Sequence, residues 1–263
     1  MMNYGGTIFV MKEKMKDFGG ILLLVSFYVL VILIKSNFGE YILGSTVDFD
    51  VQHYIIPEYL RNLFYETHNL FPDFSFHLGA GVNIYCLSYY GLFNPIMLIS
   101  YLLPEVKMLD FIIVSMGIVV ISSCILFYYY LKKNGYSRMI CFLSSFLLLC
   151  SAPFIFHSHR HIMFMDYFPF LILGLFGVDI FVQKKKSFLL IISVVLIIFT
   201  SYYFSISEIV ALFIYGIFKY IRLNDTNFVK FTFNFGIRFL IAVLISSVLI
   251  FPTLYVIIAR KNR

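Results

Sequence analysis

The chain has 263 residues, 61% of them apolar and 13% charged, with a net charge of +6 and a mean hydropathy of +0.90, against ~45–50% apolar and ~25% charged in a soluble domain. That excludes an ordinary soluble globular protein, because 32 Phe and 20 Tyr need more interior than such a chain encloses, whereas lipid solvates them without enclosure. The Lys and Arg residues fall in short clusters between apolar runs, as topology signals do, and form no stripe; nucleic acid is excluded as a partner.

In chain order, Lys12, Lys14 and Lys16 precede an apolar run over residues 18–34, close to the shortest helix that spans a bilayer. No small-x-small cleavage site follows, so the run reads as an uncleaved first helix. Residues 35–110 then form a long polar loop with eight acids and three bases. Within it, Ile56, Tyr59, Leu60, Leu63 and Phe64 recur at helical spacing and Pro57 suits a first turn, which predicts a helix lying in the interface over 54–65. Residues 95–103 are too short to span, and 79–83 and 88–95 carry the Gly and Asn of turns. Further apolar runs cover 111–131, 139–155, 162–182, 188–200, 208–221 and 239–258. The stretch 188–221 is divided at Thr200–Glu208, because one unbroken helix would be ~50 Å long against a ~30 Å hydrocarbon core. The expected fold is therefore all-α, a single transmembrane domain over 1–263 with about seven spanning helices and a partly helical first outer loop.

The basic clusters set an orientation. Lys12–Lys16, then Lys132, Lys133 and Arg138, then Lys184–Lys186, then Lys219, Arg222, Lys230 and Arg238 all fall on one side of these spans, the cytoplasmic side by the positive-inside rule. A cytoplasmic N-terminus follows, with the loop 35–110 outside. All six histidines lie in two outer loops; solvated loops attract polar residues in any case, but charge is costly to carry in a chain this poor in it. Cys86, Cys124, Cys141 and Cys150 have no metal-ligand spacing and read as core or lipid-phase residues. A Cys86–Cys150 disulfide is a minor alternative.

Two constellations could carry chemistry. Asp48 and Asp50, in Asp48-Phe-Asp50-Val-Gln52-His53, can bind a divalent cation through oxygen, or one can serve as a general base tuned by the other's charge. The second is His157-Ser-His159-Arg160-His161, followed by Asp166, where a guanidinium flanked by imidazoles suits a lipid phosphate. The plain reading of this second cluster is an anchor for a helix end among headgroups.

The order of several stretches resembles the bacterial YfhO membrane-protein family. They are Asp48 with Gln52, His53, Tyr54, Pro57, Tyr59, Leu60 and Arg61; Phe74-Ser-Phe-x-Leu-Gly-x-Gly81-x-Asn83; Tyr89-Tyr90-Gly-Leu-Phe-Asn94-Pro95; Arg160-His-x-Met-Phe-Met165; and Phe251-Pro-Thr-Leu254. The resemblance covers nearly the whole chain as the N-terminal portion of longer family members. It implies a glycosyltransferase C-type (GT-C) fold that moves a sugar from a polyprenyl-phosphate carrier to a cell-surface polymer, such as lipoteichoic acid, on the outer face. By that resemblance Asp48 is the catalytic base, with Asp50 as second choice or partner, although this sequence departs from the family at Asp50. Arg160, His159 and His161 would hold the donor phosphate. Gln52, Arg61, Asn83, Tyr89 and Tyr90 would line the substrate site, and a divalent cation, if one is used, would sit at Asp48 and Asp50. The expected partners are membrane lipid, the lipid-linked donor and the polymer acceptor. The alternatives are a transporter or flippase of a lipid-linked or polar substrate, disfavoured because only Asp166, Asp179 and Glu208 lie within or near spans, and an inactive fragment of the enzyme.

Overall fold

The computed structural model describes residues 4–38, 48–78, 80–160, 164–223 and 227–261. Helix α1 (Tyr4–Phe38) is followed by a loop region holding α2 (Ile55–Thr67), the two-residue strands β1 (Phe74–Ser75) and β2 (Val82–Asn83), and the short α3 (Pro95–Ile99). The bundle continues with α4 (Met108–Lys133), α5 (Arg138–Leu149), α6 (Ala152–Arg160), α7 (Phe168–Lys184), α8 (Phe188–Thr200), α9 (Tyr202–Ile221) and α10 (Phe228–Lys261). Among the described residues, four helices are long and apolar enough to cross a membrane, Met15–Ile34 within α1, α4, α9 and Phe228–Val248 within α10. A fifth arises if α5 and α6, bent by 47° at their break, act as one span.

The expected count of seven is reached in helical units but not in spans. α8, with 13 residues, covers only ~20 Å at 1.5 Å per residue. α7 starts at Phe168 and not at residue 162, leaving Asp166 ahead of the helix. The expected break after Thr200 is present, but it is a single residue. Ser201 is extended (φ −159°, ψ 97°), and its hydroxyl accepts from Phe204 N at 3.4 Å to cap α9. The serines that suggested a longer interruption are helical, because Ser205 and Ser207 each return their hydroxyl to a carbonyl three residues back, both at 2.8 Å. Glu208 therefore lies inside α9 and not at its end.

Two cores hold the bundle. One joins α4 to the loop region through Phe49, Met97, Ile112, Met116 and Val120. The other fills the space between α7, α8, α9 and α10 with Val178, Leu190, Val194, Leu212 and Phe235. α7 and α8 approach so closely that a Cβ on Gly177 would stand 2.7 Å from the Leu190 backbone, a separation only glycine tolerates.

The basic end is tied by two carboxylates. Asp17 of α1 accepts from Tyr128 Oη at 2.9 Å and Arg138 Nε at 2.8 Å and pairs with Lys132. Asp179 of α7 accepts from Tyr215 Oη at 2.8 Å and Asn134 Nδ2 at 3.2 Å, with Lys219 Nζ at 3.0 Å. These contacts bring the basic turns after α4, α7 and α9 to one end of the bundle. All four cysteines are free.

Candidate functional site at the loop end

The loop region folds over the opposite end. Asp48 opens it: its carbonyl accepts from both Gln52 N (2.9 Å) and His53 N (3.1 Å), closing a wide π-type turn over Phe49–His53. That turn brings Gln52 and His53 to Tyr90. The Tyr90 hydroxyl donates to Gln52 Oε1, and the buried His53 ring meets the Tyr90 ring edge-on at 6.0 Å. Burial, and after it the negative charge of Asp48, push the Tyr90 hydroxyl above its ordinary range. Tyr90 therefore keeps its proton and acts as a donor.

Tyr89, the next residue along, faces the membrane helices. Its ring lies 5.8 Å from Tyr202 at the start of α9 and 6.0 Å from Phe164 in the α6–α7 connection. Burial first, then Tyr202, Tyr90 and Tyr203, push its pKa up to about 12. His157 of α6 joins the same aromatic group, 5.4 Å from Phe164 and 6.3 Å from Phe204.

The segment after Tyr90 turns back through Gly91, whose φ of 104° favours glycine and whose Cβ, if present, would meet Met97 Cγ at 2.8 Å. This turn aims Asn94 at the bundle. The Asn94 side chain works twice: Oδ1 accepts from Ile96 N at 2.9 Å to cap α3, and Nδ2 donates to Asp166 Oδ2 at 2.5 Å. Both residues are 1% exposed. Burial pushes the Asp166 carboxyl up to about 7, the Asn94 hydrogen bond opposing it in part. Asp166 Oδ1 has no hydrogen-bond partner among the described residues.

Next to Asp166, burial and then the charge of Glu208 raise the Tyr167 hydroxyl. Glu208 is itself 5% exposed, with neither carboxylate oxygen hydrogen-bonded among the described residues. Sequence reading noticed Asp166 and Glu208 only as polar residues near spans. Their burial, with no salt bridge among the described residues, depends on helix starts that the apolar pattern did not locate.

The remaining expected residues divide. Asp48, Gln52, Tyr89 and Tyr90 come together. Arg61 does not join them: it is 4% exposed, and its Nη1 donates to Val106 O (2.8 Å) and Leu103 O (3.4 Å), holding the segment before α4. Asn83 caps the following 3-10 turn by accepting from Tyr85 N at 3.0 Å. The side chains of Asp50, His159 and Arg160, and the whole of His161, lie outside the described residues. Among those described, no three His, Cys, Asp or Glu side chains group to hold a metal ion.

A helical bundle with four or five membrane-length helices and a polar, folded loop over one end is a multi-pass membrane protein. Residues 20–263 match the family described as Bacterial membrane protein YfhO, and the chain belongs to that family. Neither a curated protein nor a solved structure matches it.

Proposed function

We propose that the chain is the membrane portion of a GT-C-like glycosyltransferase, which transfers a sugar from a polyprenyl-phosphate carrier to a cell-surface polymer such as lipoteichoic acid. The N-terminus is then cytoplasmic and the loop end external. The observation that carries this reading is the convergence of Asp48, Gln52 and Tyr90 in a loop tied through Asn94 to Asp166, six residues beyond Arg160. A lipid-linked donor leaves its phosphate at headgroup level, so the reaction needs a base at the interface and cations for the departing phosphate. Asp48 takes the proton of the acceptor hydroxyl, Gln52 and Tyr90 orient the sugar, and Arg160 with His159 and His161 receives the phosphate. Asp50 assists Asp48 or shares a divalent cation with it.

The test is to incubate membranes containing the protein with radiolabelled polyprenyl-phosphate sugars and follow label into polymer. Asp48→Asn at equal expression should cut transfer about 100-fold or more, the scale of general-base catalysis. Transfer unchanged in Asp48→Asn would remove the assignment. A second reading, a transporter of a lipid-linked or polar substrate, is favoured by one observation, the buried Glu208 carboxylate in the α9 span with both oxygens unpartnered among the described residues. Uptake into proteoliposomes without sugar transfer would select it.

A further inference from the structure

The basic end of the bundle holds a site that the proposed transfer does not use. Where α7, α9 and α10 meet, a cavity of about 380 Å³ is lined by Lys185, Asn227, Lys230, Asn234 and Arg238. Four of these follow one another along α10 and the residue before it in steps of three and four, which puts them on one face. The stripe runs for ~16 Å at 1.5 Å per residue. Its floor is the stacked pair of Tyr220 and Phe231, with ring centroids 3.8 Å apart and planes within 5°. Lys185 reaches over that pair from the end of α7, its Nζ 5.4 Å from one ring and 5.2 Å from the other.

Charge balance is what makes this stripe unusual. Arg238 lies inside the apolar span Phe228–Val248, and its Nε is buried with no hydrogen-bond partner among the described residues. A charge at that depth normally has a named partner. Among the described residues, the cavity lining contains no acid. Of the described carboxylates at this end, Asp17 is engaged by Tyr128, Lys132 and Arg138, and Asp179 by Tyr215, Asn134 and Lys219. The start of α10 at Phe228 adds the positive end of a helix dipole beside Asn227.

We propose that this cavity binds a phosphate group, held by Lys185, Lys230 and Arg238 with Asn227 and Asn234 as neutral donors. Three cations converging with no carboxylate among the described lining residues favour an anion. Guanidinium and ammonium groups spread along ~16 Å suit a phosphate ester better than a compact monovalent ion. The same chemistry is offered by the headgroup of an anionic phospholipid and by a soluble phosphate.

The full chain in phosphatidylcholine nanodiscs distinguishes these sources. In one arm, phosphatidylglycerol is titrated in and retained lipid is counted by native mass spectrometry; in the other, inorganic phosphate is titrated by calorimetry. Saturable binding of about one equivalent in either arm supports the site and names its source. The double variant Lys230→Gln/Arg238→Gln should weaken that binding about tenfold or more, on the scale of two lost charge-assisted bonds. Lys186→Gln, outside the cavity, should leave it unchanged. If Arg238→Gln does not fold, the exposed Lys185 and Lys230 carry the test as a Lys185→Gln/Lys230→Gln pair, with the same loss expected. The proposal is overturned if neither ligand binds above the phosphatidylcholine background, or if a folded double variant binds as tightly as the wild type.

Discussion

The hydrogen bond between Asn94 and Asp166 joins residues 72 apart in the chain and fastens the loop region to the start of α7, so its perturbation tests the whole loop-end geometry. Asp166→Leu removes the acceptor and leaves the Asn94 Nδ2 group buried without one. A buried polar group stripped of its partner costs about 1–3 kcal/mol. Asp166→Asn keeps an acceptor for Asn94 and removes only the titration.

The pH dependence has a definite sign. Burial raises the carboxyl from 3.8 to about 7 in the folded protein. Between those values the unfolded chain has released a proton that the folded chain retains, so the unfolded state binds fewer protons and stability falls as pH rises. The contribution is fully present below pH ~4 and lost by the time pH has risen through ~7; at ~1.4 kcal/mol per unit over about three units, its ceiling is about 4 kcal/mol. The assay is thermal unfolding in detergent followed by circular dichroism, since the chain has no Trp to report by fluorescence. The melting temperature of the wild type relative to Asp166→Asn should fall from pH 4.5 to 7.5, while Asp166→Leu should melt below Asp166→Asn throughout. A wild-type minus Asp166→Asn difference that is flat with pH would refute the buried, proton-retaining carboxyl.

Further outcomes are expected elsewhere. Gly91→Ala forces a side chain into a φ of 104° and against Met97, and should destabilise the loop region by about 1–3 kcal/mol, read as faster proteolysis of the 48–107 segment. Asp17→Asn breaks a network whose cations are 36% and 30% exposed; solvent screening limits the loss to about 1–2 kcal/mol, and high salt should narrow the gap from wild type. Gly177→Ala should separate α7 from α8 and lower the melting temperature, because the 2.7 Å approach is to backbone, which cannot rotate aside.

The apolar pattern located most helices of the bundle, since a run of 13 or more apolar residues has few other structures open to it in lipid, but it ran α5 and the start of α6 together over 139–155 and read His157–Arg160, which are helical, as loop. It also located α2, whose alternation of Leu60 and Leu63 with exposed Asn62 survives as a buried and an open face. It misplaced helix starts where Ser residues and Asp166 interrupt the run, because a hydroxyl satisfied by its own helix reads as polar in sequence and costs little in structure. At the site, Gln52 and Tyr90 were legible as polar residues of one loop, but not their pairing across 38 positions. The tie between Asn94 and Asp166 left no local trace. Asn94 reads as a cap before Pro95, which it is, and only the fold shows its second bond.

The two ends of the bundle treat buried acids differently. At the basic end, Asp17 and Asp179 each meet cations and hydroxyls, so their charge is matched by the chain itself. At the loop end, among the described residues, Asp166 has one hydrogen-bonded oxygen and Glu208 none, and no salt bridge reaches either. Unmatched buried acids cost stability, and a chain with only 14 acids retains them where an exchangeable proton or an incoming ligand supplies the missing partner. The basic end shows the converse in the α10 stripe, where the unmatched group is a cation. Among the described residues, each end thus leaves one sign of charge unmatched, carboxylates at the loop end and Arg238 at the basic end.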